Sequence, residues 1–178
     1  GLDTRVYRMD NGKLTWYNLD LPETIEVRDS IYHETGRIST IACSVLDSKW
    51  TDQVKVRGKM LFIIEGLTMY MHEQEVKTML EIIHDHFDNA YVCMETLCPF
   101  FVKKEGIEKS IKATGASFTW GANCFDDIKN IAIGYKKVKD DNIVRGMLTL
   151  NKMYVLVAWM PIVKKFAQKI LVFEKVVD

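Results

Sequence analysis

Apolar positions along the chain fall into short runs separated by amphipathic stretches, and from residue 13 onward the two patterns alternate. "KLTWYNLD" (13–20) is rich in aromatic and branched residues and stops at an acid, which predicts a strand. Pro22 suits the first turn of a helix, where its missing N–H costs nothing. "ETIEVRDSIYHE" follows, with Ile25, Val27, Ile31 and Tyr32 at roughly helical spacing. "RISTIACSVLD" (37–47) predicts a second strand, again ending near an acid, and "DSKWTDQVKV" a short amphipathic connector. "KMLFIIEGLTMYM" (59–71) opens with an apolar run of the kind buried on both faces of a parallel sheet, then reaches Glu65 and Gly66. "HEQEVKTMLEIIHDHF" (72–87) puts Val76, Met79, Leu80, Ile83 and Phe87 on one helical face. "NAYVCMETL" (89–97) predicts a fourth strand that reaches Glu95.

Beyond residue 98 the pattern weakens. "GIEKSIKATG" predicts a helix ending at Gly115, "DDIKNI" a short one, and "IAIGYKKVKD" a strand. "NKMYVLVAWMPIVKKFAQ" predicts a helix interrupted or started at Pro161, and "KILVFEKVV" (169–177) a closing strand. Strands alternating with helices are the signature of βαβ units, so the fold class is α/β. At 178 residues, with no repeat or linker, the expectation is a single domain over 1–178.

Charge and composition narrow the function. The 24 basic and 24 acidic residues cancel, which argues against nucleic acid as the main partner. The most apolar run, "YVLVAWMPIV" (154–163), is too short to span a bilayer, so no membrane partner is expected. Cys43 and Cys93 lie in apolar strand-like runs, which predicts buried, reduced thiols and a cytoplasmic protein. A zinc site drawn from the four cysteines is a minor alternative, since no CxxC pair is present.

The chemistry concentrates at strand ends. Asp20, Asp47 and Glu65 each close a predicted strand, and Asp3 would be a fourth such acid if a strand preceded Gly1. Taken singly, each is an ordinary helix cap or loop acid. Taken together, they would line the crevice at the carboxyl ends of parallel strands, where nucleotide-like ligands bind. An acid about twenty residues beyond a Gly-rich turn is placed for a ribose diol, and Asp20 lies at that distance from Gly1. "GLDTR" lacks the phosphate-type glycine pattern, and its early acid would repel a pyrophosphate while suiting an ammonium. That favours S-adenosylmethionine over a nicotinamide dinucleotide. His72 is the histidine placed near the crevice, with a surface residue at a helix start as its alternative. His84 and His86 are two apart and do not share a helical face, and His33 reads as a helix-end residue. "FTWGANCF" (118–125) would wall a substrate pocket or fill the core, and the nine methionines read as core.

"GLDTRVYR", "WYNLDLPETIEVRD", "SVLDSKW", "IIEGLTMYMHEQEV" and "FTWGANCFDDI" together resemble the S-adenosylmethionine-dependent O-methyltransferases that include the tetracenomycin polyketide and leucine carboxyl methyltransferases. The resemblance runs through nearly the whole chain and is closer to the polyketide branch. It implies a Rossmann-like sheet, mostly parallel, with an antiparallel last strand at about 169–177. It implies that Gly1, Asp3 and Arg5 line the methionine end of the cofactor and that Asp20 holds the ribose. Ser44, Val45, Leu46 and Asp47 would bound the adenine, Glu65 would lie beneath the sulfonium, and Tyr70 near the substrate mouth. The family's N-terminal helices, first strand and first loop glycines are not in this sequence, so the chain is expected to be the larger C-terminal part of such an enzyme.

The expected function is therefore methyl transfer to a hydroxyl or carboxyl oxygen of a small, polyketide-like molecule, with Tyr70 and His72 as catalytic candidates and no metal. The alternatives are a non-catalytic module of the same fold and a methyltransferase for a protein C-terminal carboxylate. Whether identical copies assemble is left open. A dehydrogenase is disfavoured by the glycine pattern and the lack of a catalytic Tyr/Lys or His pair.

Overall fold

Asp20 is the last residue of the first strand of a βαβ unit. In the computed structural model, which describes residues 1–9, 11–56, 58–102, 116–144 and 160–176, contacts group the chain into two units, Gly1–Arg57 and Gly58–Asp178.

The first unit contains α1 (Arg5–Met9), β1 (Trp16–Asp20), α2 (Pro22–Ile31), β2 (Ile38–Ala42) and a 3₁₀ turn (Ser48–Gln53). β1 and β2 pair in parallel, with Trp16 opposite Ile38 and Asp20 opposite Ala42. Pro22 opens α2 as expected. The buried face of that helix is not the expected one. Ile25 is buried, but Val27 and Ile31 are 51% and 53% exposed, and Arg28 takes the interior position one turn after Ile25. The second predicted strand also stops early, at Ala42 rather than near Asp47. The Ser44 hydroxyl accepts from the Leu46 N–H at 3.2 Å, and the Asp47 carboxylate accepts from the Lys49 N–H at 3.1 Å. Such local bonds compete with a sheet ladder and turn the chain. Trp50 is buried in this turn and donates to the Val45 carbonyl at 3.2 Å.

The second unit contains β3 (Lys59–Ile64), α3 (Glu73–His86), β4 (Asn89–Thr96), α4 (Pro99–Val102), β5 (Tyr135–Asn142), α5 (Pro161–Phe166) and β6 (Lys169–Lys175). Two 3₁₀ turns, Thr68–Tyr70 and Phe125–Ile128, join them. The sheet order is β3-β4-β6-β5. β3 and β4 are parallel, while β6 runs antiparallel to both β4 and β5. The reversed last strand expected at the end of the chain is thus β6. All five apolar residues predicted for α3 are buried, as are Val92 and Met94 of β4 and Leu171 and Phe173 of β6.

Three expectations fail in this unit. β3 is not buried on both faces, since Leu61 is 60% exposed and Ile63 is exposed beside it in the alternation. The strand predicted from Ile131 begins at Tyr135, because Gly134 adopts φ +79° and turns the chain. Its hydrogen-bearing face lies against His84, whose Nε2 would be 2.3 Å from an added Cβ. Cys93 in β4 is half-buried, as is Cys43 in the first unit, so the two thiols are less secluded than their apolar runs implied, whereas Cys98 is buried. All four cysteines are free. "FTWGANCF" contributes Trp120, Ala122 and Phe125 to the core. The "GIEKSIKATG" helix and the 151–159 part of the predicted "NKMYVLVAWM" helix lie outside the described residues. Among the described residues, no helix is long and apolar enough to cross a membrane and no three His, Cys, Asp or Glu residues gather as a metal site requires.

Candidate functional site

The carboxyl end of β1 delivers Asp20 to the backbone of the first residues. Its Oδ1 accepts from the Leu21 N–H at 2.8 Å, and its Oδ2 accepts from the Gly1 nitrogen. The carboxylate is partly exposed. Asp3 follows, with Oδ1 accepting from the Arg5 N–H at 2.9 Å and Oδ2 lying 3.3 Å from the Arg5 guanidinium. These bonds start α1 and set the acid beside the base.

What fixes this loop is Arg28, which the sequence reading did not single out. From α2 its Nη1 donates to the Gly1 carbonyl at 2.8 Å and to the Asp3 carbonyl at 3.0 Å. Its other edge forms a two-pronged pair with Glu34, Nε to Oε2 at 3.0 Å and Nη2 to Oε1 at 2.5 Å. Glu34 also accepts from the Tyr7 hydroxyl at 2.7 Å and the Asn18 amide at 3.1 Å, and Asn18 in turn accepts from the Trp16 indole at 2.9 Å. The Arg28 and Glu34 side chains are 0% and 2% exposed. Burial alone would raise the Glu34 carboxyl, but the bonds from Arg28, Tyr7 and Asn18 and the Arg28 charge hold it below the usual carboxylate range. Arg28 is pushed up, chiefly by its bond to Glu34, against the opposing cost of burial. The one signal in the sequence was a basic residue three positions beyond Ile25, on the same face of α2.

Ser44, Val45, Leu46 and Asp47 form the turn after β2, and the Cys43 N–H donates to the Asp20 carbonyl at 3.0 Å, which ties that turn to the end of β1. Asp47 acts locally as the cap of the 3₁₀ turn. The first unit thus gathers Gly1, Asp3, Arg5 and Asp20 and leaves residues 44–47 on the adjoining strand end.

The other predicted residues lie in the second unit. Glu65 is exposed at the end of β3. Gly66 follows at φ +65° and its N–H donates to Glu95 at 2.9 Å. An L-residue in this left-handed conformation costs about 1–2 kcal/mol. Gly66→Ala is expected to lower stability by that amount, read as a fall in the urea midpoint at unchanged slope. Tyr70 is exposed, its ring 5.6 Å from that of Phe118. Thr119 bonds to the Met69 and Met71 carbonyls, so this segment braces the turn that carries Tyr70. His72 is exposed and stands at the N-cap of α3, where its N–H donates to Glu75 at 2.7 Å. This is the helix-start placement. His84 and His86 bond apart from one another, to Asp85 and to the Ile82 carbonyl.

Residues 1–84 match the leucine carboxyl methyltransferase family. The tetracenomycin polyketide synthesis O-methyltransferase TcmP of Streptomyces glaucescens is 33% identical over 122 residues, covering 68% of this chain and 45% of that protein. A solved S-adenosylmethionine-dependent methyltransferase of Anabaena variabilis superposes over 96% of this chain and 80% of its own, with a TM-score of 0.57 and 9% identity. A duf574 family protein of Streptomyces avermitilis superposes with a TM-score of 0.63 and 9% identity, over 90% of this chain and 64% of its own. The chain spans about half the length of the curated relatives it matches, 45% in each case.

A parallel βαβ unit whose first strand ends in an acid, and a sheet whose last strand is reversed between two others, define a Rossmann-like α/β fold, shared with the Anabaena variabilis and Streptomyces avermitilis structures. Within that class, the first 84 residues carry the match to the leucine carboxyl methyltransferase family, and the chain is similar to the tetracenomycin-type O-methyltransferase TcmP.

Proposed function

We propose that the protein is an S-adenosylmethionine-dependent O-methyltransferase whose acceptor is a hydroxyl or carboxyl oxygen of a small, polyketide-like molecule. The observation that carries this reading is the placement of Asp20, a partly exposed carboxylate at the end of a parallel strand, directly against the Gly1–Asp3 backbone that Arg28 pins. The residues present fit the cofactor chemically. A carboxylate accepts from both hydroxyls of a ribose at once, and the Asp3 carboxylate suits an ammonium. Ser44 and the backbone of residues 44–47 offer hydrogen-bonding groups for a purine edge. The relative TcmP, by its name an O-methyltransferase of polyketide synthesis, supports the acceptor class.

The cofactor supplies an electrophilic methyl group when bound. The chain's part is to hold and orient. Arg28 makes the loop rigid before binding, so little ordering is left to be done when a ligand arrives. Asp20 would hold the ribose and Asp3 the methionine end, and a site that excludes water lets the acceptor oxygen lie in line. A carboxylate acceptor is already ionised at neutral pH and needs no base, whereas a phenol gains from one. Tyr70 and His72 are the candidates for that role, each exposed near the end of β3. Glu65 is assigned to the cofactor by its family position.

The test is thermal unfolding of the full-length protein with S-adenosylhomocysteine. At 100 times the dissociation constant, a ligand that binds only the folded state adds about 2.7 kcal/mol. An upward shift in Tm with that ligand and none with NAD is expected. No shift with S-adenosylhomocysteine overturns the reading.

A further inference from the structure

The chain leaves β3 through a turn that β4 holds in place. The β3–β4 ladder ends with Ile64 opposite Met94, and Glu65 and Gly66 follow beyond it. Glu95, the next residue of β4, grips that exit twice. Its Oε2 accepts from the Gly66 N–H at 2.9 Å, and its carbonyl accepts from the Thr68 hydroxyl at 2.7 Å. Thr68 is fully buried. Further along the turn, the Thr119 N–H donates to the Met69 carbonyl at 2.8 Å and its hydroxyl to the Met71 carbonyl at 2.7 Å. The segment from Gly66 to Met71 is therefore tied down at its start by Glu95 and at its end by Thr119.

Burial separates the anchor from what it carries. Glu95 is half-buried, whereas Glu65 and Tyr70, on the segment it holds, are exposed. Gly66 has the left-handed φ of +65°, so the direction in which Glu65 leaves the strand depends on this turn being kept. A charged acceptor holds an N–H more strongly than a neutral one. Small displacements of a group that binds or orients a substrate are costly, even when their source is a residue that touches no ligand.

We propose that Glu95 is a positioning residue for the cofactor's charged sulfur: by holding Gly66 it fixes where the Glu65 carboxylate stands. The inference rests on the cofactor reading above, which assigns Glu65 to S-adenosylmethionine, and adds to it the residue that acts through Glu65. A strand-end cap alone would stabilise the fold and leave discrimination between ligands untouched.

The experiment is isothermal titration of the full-length protein with S-adenosylmethionine, whose sulfur is cationic, and S-adenosylhomocysteine, whose sulfur is neutral. The readout is the ratio of the two affinities, which a loss of stability does not move. Glu95→Ala is expected to shift that ratio against the cation by at least about fivefold, the lower end of coupling between sites. Glu95→Gln should keep it within about twofold of the unaltered protein, because an amide oxygen still accepts from the Gly66 N–H. An unchanged ratio in Glu95→Ala, with both affinities or the urea midpoint lowered together, overturns the proposal. Glu95→Gln shifting as far as Glu95→Ala also overturns it, since the charge of Glu95 would then act on the cofactor directly. Thr68→Val cuts the second hydrogen bond without altering charge and should move the ratio in the same direction. If Glu95→Ala does not fold, an unchanged ratio in Thr68→Val overturns the proposal in its place. Binding of neither ligand by the unaltered protein overturns the cofactor reading and this inference with it, whereas binding with an unmoved ratio overturns this inference alone.

Discussion

Arg28→Met is expected to destabilise the Gly1–Arg57 unit by about 3–5 kcal/mol, the cost of removing one partner from a buried ion pair. Methionine matches the stem of arginine in length, so little packing is lost. What remains is the Glu34 carboxylate, 2% exposed and stripped of its two-pronged partner, together with the Gly1 and Asp3 carbonyls that Arg28 had satisfied. Urea unfolding followed by far-UV circular dichroism reads the loss. Replacing both partners, Arg28→Met with Glu34→Leu, should recover most of it, because two apolar groups leave no charge unmatched. A double variant as unstable as the single one would show that the loop contacts, not the stranded charge, set the cost.

The same pair predicts a pH dependence. The Glu34 carboxyl is held below its unfolded value of about 4.3, so its stabilising contribution is complete above that pH. It is lost as the pH falls through the lower, folded value. Glu34→Gln removes this titration, and its stability should change less than that of the unaltered protein on acidification below about pH 4.3. Parallel acid curves for the two proteins would assign the acid sensitivity elsewhere.

Why the sequence revealed β1, α3 and β6 but not Arg28 has a physical explanation. Hydrophobic periodicity reports where apolar area is buried, and in α3 that is the whole story, with Val76, Met79, Leu80, Ile83 and Phe87 all inside. In α2 the interior position belongs to a guanidinium whose partners are two backbone carbonyls and a glutamate beyond the helix end. No pattern of apolar residues marks such a network, so Val27 and Ile31 drew the expected face to the wrong side. The β3 error is of the same kind, since an apolar composition was read as burial, yet Leu61 and Ile63 alternate to an exposed face. The start of β5 was missed because the turn depends on a single left-handed glycine, Gly134, inside an apolar run. Asp20 was legible because a strand that stops at an acid and restarts at a proline leaves that acid only one place to be. Asp47 was legible as an acid after a strand, but the structure also gives it capping work that needs no ligand.

Asp20→Asn is expected to separate binding from capping at the position on which the functional reading turns. The amide oxygen can still accept from the Leu21 N–H, the bond Oδ1 now makes at 2.8 Å, so the turn into α2 is kept, while the exposed contact of Oδ2 with the Gly1 nitrogen is lost. A neutral cap in place of a charged one at a partly exposed site should change stability by less than about 1 kcal/mol. Affinity is another matter. The substitution removes the charge and replaces one acceptor oxygen with a donor, so one ribose hydroxyl loses its partner and the other bonds to a neutral group. Hydrogen bonds to a charged group contribute about 1.5–3 kcal/mol each. The combined loss is on the order of 3 kcal/mol, more than a hundredfold in the dissociation constant of S-adenosylhomocysteine. Asp47→Asn, at an acid with its own local cap, should lose less. Equal affinity for Asp20→Asn and the unaltered protein would reduce Asp20 to a cap and remove the ribose assignment. A hundredfold loss at unchanged stability leaves the carboxylate no structural role large enough to explain its place at the end of β1.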